Sequence, residues 1–304
     1  MKIEVAVPCY NEAATIGKVV RDFRAALPGQ EVVVYDNNSS DETAALAMEA
    51  GARVVRVSRQ GKGYVLQAIF ETSRADIVVI VDGDDTYEAA DVQLLVAPIA
   101  SGEADMTIGT RLHNRSDEFR TLHHFGNHLL TAMLNALYGT DHRDILSGYR
   151  AFSRRFLDHA PVISGGFEIE TELLIQAYEH SLGTKGIPIR FRNRPTGSFS
   201  KLNSFRDGYR ILLTMISLLR DHRPMLTFSV LALLTGIVGS GFWLVGFVKA
   251  AANPSLTVFR NLGVVLIEVA LALLLIGLVL NTVNTRMREM MSLLRRRHDR
   301  RDQP

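Results

Sequence analysis

The chain has 304 residues, 47% of them hydrophobic, with 34 Lys+Arg against 32 Asp+Glu and a formal net charge of +2. A charge this close to neutral gives no reason to expect a nucleic-acid partner. The single cysteine, Cys9, excludes an internal disulfide and any multi-thiolate metal site, which suits a reducing compartment. Mean hydropathy is +0.10, high for a soluble enzyme, and the excess is concentrated after Pro224.

The first 110 residues or so alternate strand and helix. Met1-Lys2 leads directly into the apolar strand Ile3–Pro8, so no signal peptide is expected. A helix follows, with Ile16, Val19, Val20, Phe23 and Leu27 on one face. Strand Glu31–Asp36 ends in the polar turn NNSSDET, then come the alanine-rich helix Thr43–Ala50 and the strand ARVVRVS. GKGYVLQAIFETS starts as a glycine-bearing loop and becomes a helix. Ile77–Val81 reads as a strand buried on both faces, running into Asp82, Asp84 and Asp85. This order predicts a parallel sheet with right-handed crossovers and helices on both faces.

Four strand ends therefore bring polar residues to one edge: Asn11-Glu12, Asp36-Asn37-Asn38, Arg59 to Lys62, and Asp82 to Asp85. Ligands in open α/β sheets sit outside the carboxyl ends of the strands. Carboxylates packed this densely repel unless a cation shares them, and Mg2+ or Mn2+ takes oxygen ligands. The plainer alternative is a polar turn that caps the next helix. Asp36 is placed to accept from a base or a ribose hydroxyl, yet the first turn reads PCYNEAAT and lacks G-x-G-x-x-G. No G-x-x-x-x-G-K-[ST] loop is present either, so neither a nicotinamide enzyme nor a nucleotide triphosphatase is expected. Lys62 and Arg59 either add charge-assisted contacts to a diphosphate or remain solvated surface cations.

PCYNEAATI, VVYDNNSSDET, GKGYVLQAI, VDGDDTY, GTR, DILSGYRAFSRR, GFEIETELL and GSFSKL keep one order from about Ile3 to Leu213. Together they resemble glycosyltransferase family 2, and more narrowly the polyprenyl-phosphate glycosyltransferases related to dolichyl-phosphate mannose synthase. The resemblance implies a GT-A (Rossmann-like) α/β fold, a nucleotide-sugar donor, a divalent metal and inversion at the anomeric carbon. It implies that Pro8, Tyr10, Asn11, Glu12, Asp36 and Asn38 frame the nucleotide, with Lys62, Asp82, Gly83 and Asp84 beside the diphosphate. Asp82 and Asp84 would be the metal-binding D-x-D pair. Relatives often carry glutamine two residues after the pair, where this chain has Thr86.

The middle of the chain is the expected acceptor side. Ala104–Arg111 reads as a strand, and a helix is expected from His124 to Tyr138, with Phe125, Leu129, Leu130, Met133 and Leu137 on its apolar side. The resemblance places D-x-x-S-G-[FY]-R at the active site, making Asp144 and Arg150 catalytic candidates beside Asp84; alternatively Asp144 and Arg150 form a buried ion pair. Glu168 and Glu172 share a helix face, functional or merely solvating. An acceptor that is a lipid phosphate needs no general base, because a monoester with a second pKa of about 6 is mostly dianionic at neutral pH. It needs cations. Alternation in PIRFRNR predicts an edge strand with Arg190, Arg192 and Arg194 on one side, followed by Ser200 and Lys201. The resemblance adds Arg111 and His124 to this acceptor-phosphate set, with His123-His124 where relatives carry another basic residue.

Residues 225–248 carry no charge and 262–285 contain only Glu268, each stretch longer than the ~20 residues that cross a bilayer. They predict a transmembrane hairpin. Phe205, Tyr209, Leu212, Leu213, Ile216 and Leu219 make 202–224 an amphipathic interfacial helix. Arginines in the tail, 286–304, and before the first span put both termini and the catalytic domain, 1–201, in the cytoplasm of an inner membrane. Gly236, Gly239 and Gly241 permit close helix approach, including within a homo-oligomer.

The reading that follows is transfer of a single sugar from a nucleotide sugar, UDP-glucose or a similar UDP-sugar ahead of GDP-mannose, to a polyprenyl (undecaprenyl) phosphate for cell-envelope biosynthesis. Two alternatives stand beside it: a membrane glycosyltransferase acting on a hydroxyl, with Asp144 as base, and a non-catalytic sugar-nucleotide-binding scaffold.

Overall fold

The structure, a computed structural model, describes residues 1–111, 121–162, 165–166, 169–192, 213, 216–217, 219–221, 223–249 and 256–299. The side chains of 121–127, 137, 249, 288 and 291–299 also lie outside the description. So His124 is described in its backbone only, and Glu168, Arg194, Ser200, Lys201 and most of the 202–224 helix fall outside. The chain divides into two compact units, Met1–Ile211 and Leu212–Pro304.

The first unit is built on a seven-stranded sheet of order β3-β2-β1-β4-β6-β5-β7. Its strands are β1 (Ile3–Cys9), β2 (Glu31–Asp36), β3 (Arg53–Arg56), β4 (Ile77–Ile80), β5 (Met106–Arg111), β6 (Arg150–Ser153) and β7 (Thr184–Ile189). The first four are parallel, as the alternation predicts. β4 stops at Ile80, but the Val81 amide still reaches Ala6 O at 3.2 Å. β6 runs antiparallel between β4 and β5, so the sheet is mixed. Four residues beginning with an arginine leave too little alternation to announce a strand.

Helices α1 (Ile16–Ala26), α2 (Thr43–Glu49), α3 (Lys62–Thr72), α4 (Val92–Ala100), α5 (Thr121–Tyr138), α6 (Arg154–His159) and α7 (Ile169–Glu179) complete this unit. The expected face of α1 is the buried one, with Ile16, Val19, Val20 and Phe23 in the core. α5 starts earlier than its apolar spacing suggests, and its inward face is rotated. Leu130 and Leu134, four apart, are buried, whereas Leu129 is 45% exposed. β7 pairs with β5 at the sheet edge and ends before the arginines; beyond it Phe191 makes a lone bridge to Tyr87. The predicted one-sided row of Arg190 and Arg192 on a strand is therefore not formed.

Because β1 neighbours both β2 and β4, strand order reverses there, and the crevice at the carboxyl ends of β1 and β4 is where such sheets take ligands. The loop after β1 and the D-G-D turn after β4 flank that crevice.

The second unit holds α8 (Pro224–Lys249) and α9 (Thr257–Asp299). Within them Pro224–Val248 and Thr257–Met287 are long and apolar enough to cross a membrane. α9 does not stop at the end of its apolar stretch but continues helically to Asp299, so the basic segment starts as helix. The two helices meet on glycines. A Cβ on Gly263 would lie 2.4 Å from Trp243 N and 2.7 Å from Gly239 O, and one on Gly246 would lie 2.3 Å from Arg260 N. Gly241 faces open space. Gly263→Leu is expected to cost about 1–3 kcal/mol through overpacking, seen as a lower thermal aggregation midpoint in detergent, while Gly241→Leu leaves that midpoint unchanged.

Candidate active site

Three loops form one wall of the crevice. After β1, Asn11 takes a left-handed conformation (φ 52°), and Glu12 O accepts from the amides of Thr15 and Ile16 to start α1. The Asn11 amide donates to Ser39 Oγ (2.9 Å), Asn11 Oδ1 accepts from Ser40 N (2.8 Å), and the Glu12 amide donates to Thr43 Oγ1 (2.8 Å). The β1 loop is thereby laced to the turn after β2. Asp36, buried at the end of β2, accepts from Ser39 N. Asn37 donates to Val57 O and Arg59 O and accepts from Gly61 N, which ties in the loop before α3. Asn38, also left-handed (φ 65°), donates to Ser58 O. Pro8 is a β1 residue paired with Tyr35, and Tyr10 is exposed beyond it. The Arg59 guanidinium sits 3.8 Å over the Tyr64 ring, so this cation is stacked rather than aimed at the D-G-D turn.

The D-G-D turn faces that wall. Gly83 lies on Cys9, where a Cβ would come 2.6 Å from Sγ, and its carbonyl accepts from Thr15 Oγ1 at 2.7 Å. Any side chain at position 83 would push the turn away from β1. Asp84 is buried, and its Oδ1 accepts from Thr86 Oγ1 (2.6 Å) and Thr86 N (3.2 Å). Thr86 thus orients the second aspartate. Asp85 is held left-handed (φ 58°), with its carboxylate on Lys18 Nζ at 2.8 Å. It belongs to the scaffold. Lys62 is no solvated surface cation: its ammonium lies 2.8 Å from Asp82 and 2.7 Å from Glu170. Burial alone would lower its pKa, but the two carboxylates outweigh burial and raise it.

The segment DILSGYR closes the crevice from the other side. A Cβ on Gly148 would fall 2.1 Å from Asp82 Oδ2, so only glycine lets this backbone approach the first aspartate. The Gly148 amide is held by the Tyr87 hydroxyl at 2.9 Å. Asp144 and Arg150 do not pair with each other. Asp144 takes a two-point contact from Arg111, at 2.6 and 3.0 Å, while the Arg150 guanidinium donates to Ser147 O (3.0 Å) and Ile145 O (2.5 Å). Arg150 is buried, and burial lowers its pKa. From this buried position it braces the loop that carries Gly148. Arg111 likewise holds Asp144 and lies 5.4 Å from the Phe191 ring centre. Arg190 pairs with Asp91, and Arg192 with Glu88 and, at 3.8 Å, with Asp85.

Tyr87 and Glu170 belong to this constellation and have no place among the residues picked from the sequence. Glu170 sits at i+3 and i+4 spacing from the buried Leu173 and Leu174, so an acid on the inward face of α7 was the available signal. Burial pushes the Tyr87 phenol from 10.0 to about 12, with Arg111 opposing and Asp82 reinforcing; burial also takes Tyr35 to about 12. A raised folded pKa stabilises below the unfolded value and is lost as pH climbs from 10 to 12, at most about 3 kcal/mol for a two-unit shift. Urea unfolding at pH 8 and pH 11 should show that loss. Tyr87→Phe should flatten it in part, since Tyr35 remains.

Among the described residues no three His, Cys, Asp or Glu side chains gather into a metal cage. Two carboxylates at a ligand crevice are nevertheless a fitting donor set for a hard ion that completes its shell with phosphate oxygens and water, as Mg2+ commonly does. Asp82 and Asp84 would hold it.

Residues 4–160 match the family model described as "Glycosyl transferase family 2". The chain belongs to this family. Glycosyltransferase AglJ of Haloferax volcanii is 36% identical over 239 residues, covering 78% of this glycosyltransferase and 78% of AglJ. The dolichyl-phosphate hexose transferase of the same organism is 28% identical over 221 residues, covering 73% of this chain and 95% of that one. Among solved structures, glucosyl-3-phosphoglycerate synthase from Mycobacterium tuberculosis in complex with Mn2+, UDP-glucose and phosphoglyceric acid aligns with TM-score 0.58 and 27% identity, over 71% of this chain and 79% of the synthase. The same synthase is known with Mg2+ and UDP. The α/β sheet of this glycosyltransferase is thus of the GT-A type, followed by two apolar C-terminal helices, and a divalent metal accords with these neighbours.

Proposed function

We propose that this glycosyltransferase moves one sugar from a nucleotide sugar to a polyprenyl phosphate at the cytoplasmic face of a membrane, with inversion at the anomeric carbon. The observation that carries the reading is the pairing of a D-G-D crevice, bounded by Lys62 and Gly148, with two bilayer-length apolar helices in the same chain. The UDP-glucose complex of the solved neighbour supports a UDP-sugar donor, and the dolichyl-phosphate hexose transferase supports a lipid-phosphate acceptor.

In this reading the β1, β2 and β3 loops hold the nucleoside, with Asp36 at the end of β2 as an acceptor for its hydroxyl or base donors. Asp82 and Asp84 would hold Mg2+ or Mn2+, which when bound neutralises the charge developing on the diphosphate leaving group. Lys62 adds a positive charge beside Asp82. The acceptor oxyanion is its own nucleophile, so no side chain has to remove a proton from it. Ser200, Lys201, Arg194 and His124 are assigned to the acceptor phosphate on sequence grounds alone. The clamp of Asp144 by Arg111 weighs against a hydroxyl acceptor, which would need Asp144 as a free base.

The test is radiolabel transfer in membranes, offering UDP-glucose and GDP-mannose in turn with undecaprenyl phosphate and Mn2+. An acid-labile labelled lipid that disappears with chelator is the expected product. Release of label to water alone, or transfer only to a hydroxyl acceptor, would sink the lipid-phosphate reading.

A further inference from the structure

Lys62 has two carboxylate partners, and only one of them belongs to the D-G-D turn. Its ammonium bridges Asp82 Oδ1 at the end of β4 and Glu170 Oε1 in the first turn of α7. Lys62 and Glu170 are 12% and 11% exposed, against 29% for Asp82. Asp82 is therefore already neutralised, and a divalent ion arriving there must compete with an ammonium for the same carboxylate.

We propose that Glu170 is a positioning residue that lets Lys62 give up Asp82. In the donor complex Lys62 leaves Asp82, stays hydrogen-bonded to Glu170 and turns its ammonium toward the diphosphate. The inference rests on Asp82 and Asp84 being the ion's carboxylates. An ammonium in this buried place is costly without a carboxylate. With the Glu170 charge removed, Lys62 depends wholly on Asp82 and resists displacement. With Lys62 removed as well, Asp82 has no competitor, and ion binding must strengthen. The sign of the effect reverses between the two variants, which a merely structural role for Glu170 does not produce.

The experiment is Mn2+ binding to the full chain in detergent, followed by the paramagnetic resonance signal of free Mn2+ with no donor present. Glu170→Gln is expected to weaken Mn2+ by about tenfold, the scale of a one-unit shift caused by a neighbouring charge. The double variant Lys62→Met/Glu170→Gln is expected to bind Mn2+ more tightly than wild type while binding UDP in the presence of Mn2+ more weakly. Tight binding by the double variant shows that the glutamine itself leaves the ion site intact, and an unfolding midpoint of Glu170→Gln close to that of wild type excludes misfolding as the cause of its weakness. Unchanged Mn2+ affinity in Glu170→Gln, or a double variant no tighter than wild type, overturns the exchange. Asp84→Asn separates the two levels of the argument: if it binds Mn2+ as wild type does, the ion does not sit at the D-G-D turn at all, and the exchange falls with that reading.

Discussion

Asp84→Asn is expected to lower sugar transfer by about two to three orders of magnitude, the usual loss when a group that stabilises developing charge is removed. The exchange keeps the shape of the side chain and leaves Thr86 a carbonyl oxygen to donate to, so the turn should persist. What disappears is one of two negative charges available to a divalent ion. Transfer from labelled donor in detergent-solubilised protein measures the effect, and an unchanged unfolding midpoint shows that the loss is chemical. A variant retaining more than about a tenth of wild-type turnover would mean that no essential charge stabilisation passes through Asp84.

Asp144→Ala should instead act first on stability. The Asp144 carboxylate is 1% exposed and receives two bonds from Arg111, itself 26% exposed. Removing one partner of a buried pair costs about 3–5 kcal/mol, and partial exposure of Arg111 reduces this to about 2–4. For a unit of this size the unfolding midpoint falls by roughly 2–4 °C per kcal/mol. Transfer should fall too, because Asp144 also accepts from Leu146 N at the head of the loop that brings Gly148 to Asp82. The base hypothesis predicts something else: Asp144→Asn with near-normal stability, negligible transfer and no acidic limb in the pH–rate profile. Scanning calorimetry beside a pH profile separates the two.

Much of the fold is legible because parallel strands covered on both faces leave long apolar runs. IEVAV, VVVY and IVVI carry that signal, and α1 shows its buried stripe by simple periodicity. β6 is hidden for the opposite reason: it is short and begins with a buried arginine whose bonds go to backbone carbonyls. The convergence of the β1, β2, β3 and β4 ends was readable from strand order, and it places Asn11, Asp36, Lys62 and Asp82 at one edge of the sheet. Pairing was not readable. The alternative pairing of Asp144 with Arg150 does not form, because partners within a site are chosen by three-dimensional proximity, and Arg111 arrives from β5. The same blindness hid Glu170, whose partner Lys62 stands on another helix.

The insertion of β6 between β4 and β5 has a consequence for how the protein is made. β4 is complete at Ile80, but its neighbour on one side is not synthesised until Arg150–Ser153. During translation β4 therefore presents an open row of amides and carbonyls beside the D-G-D turn, a template for unwanted strand pairing. Gly148 and Tyr149 emerge directly ahead of the strand that seals this edge, so the same short segment both ends the hazard and closes the crevice. Sealing this edge and bringing Gly148 to Asp82 thus fall to one stretch of translation, while Glu170, the second partner of Lys62, and the edge strand β7 are made only afterwards.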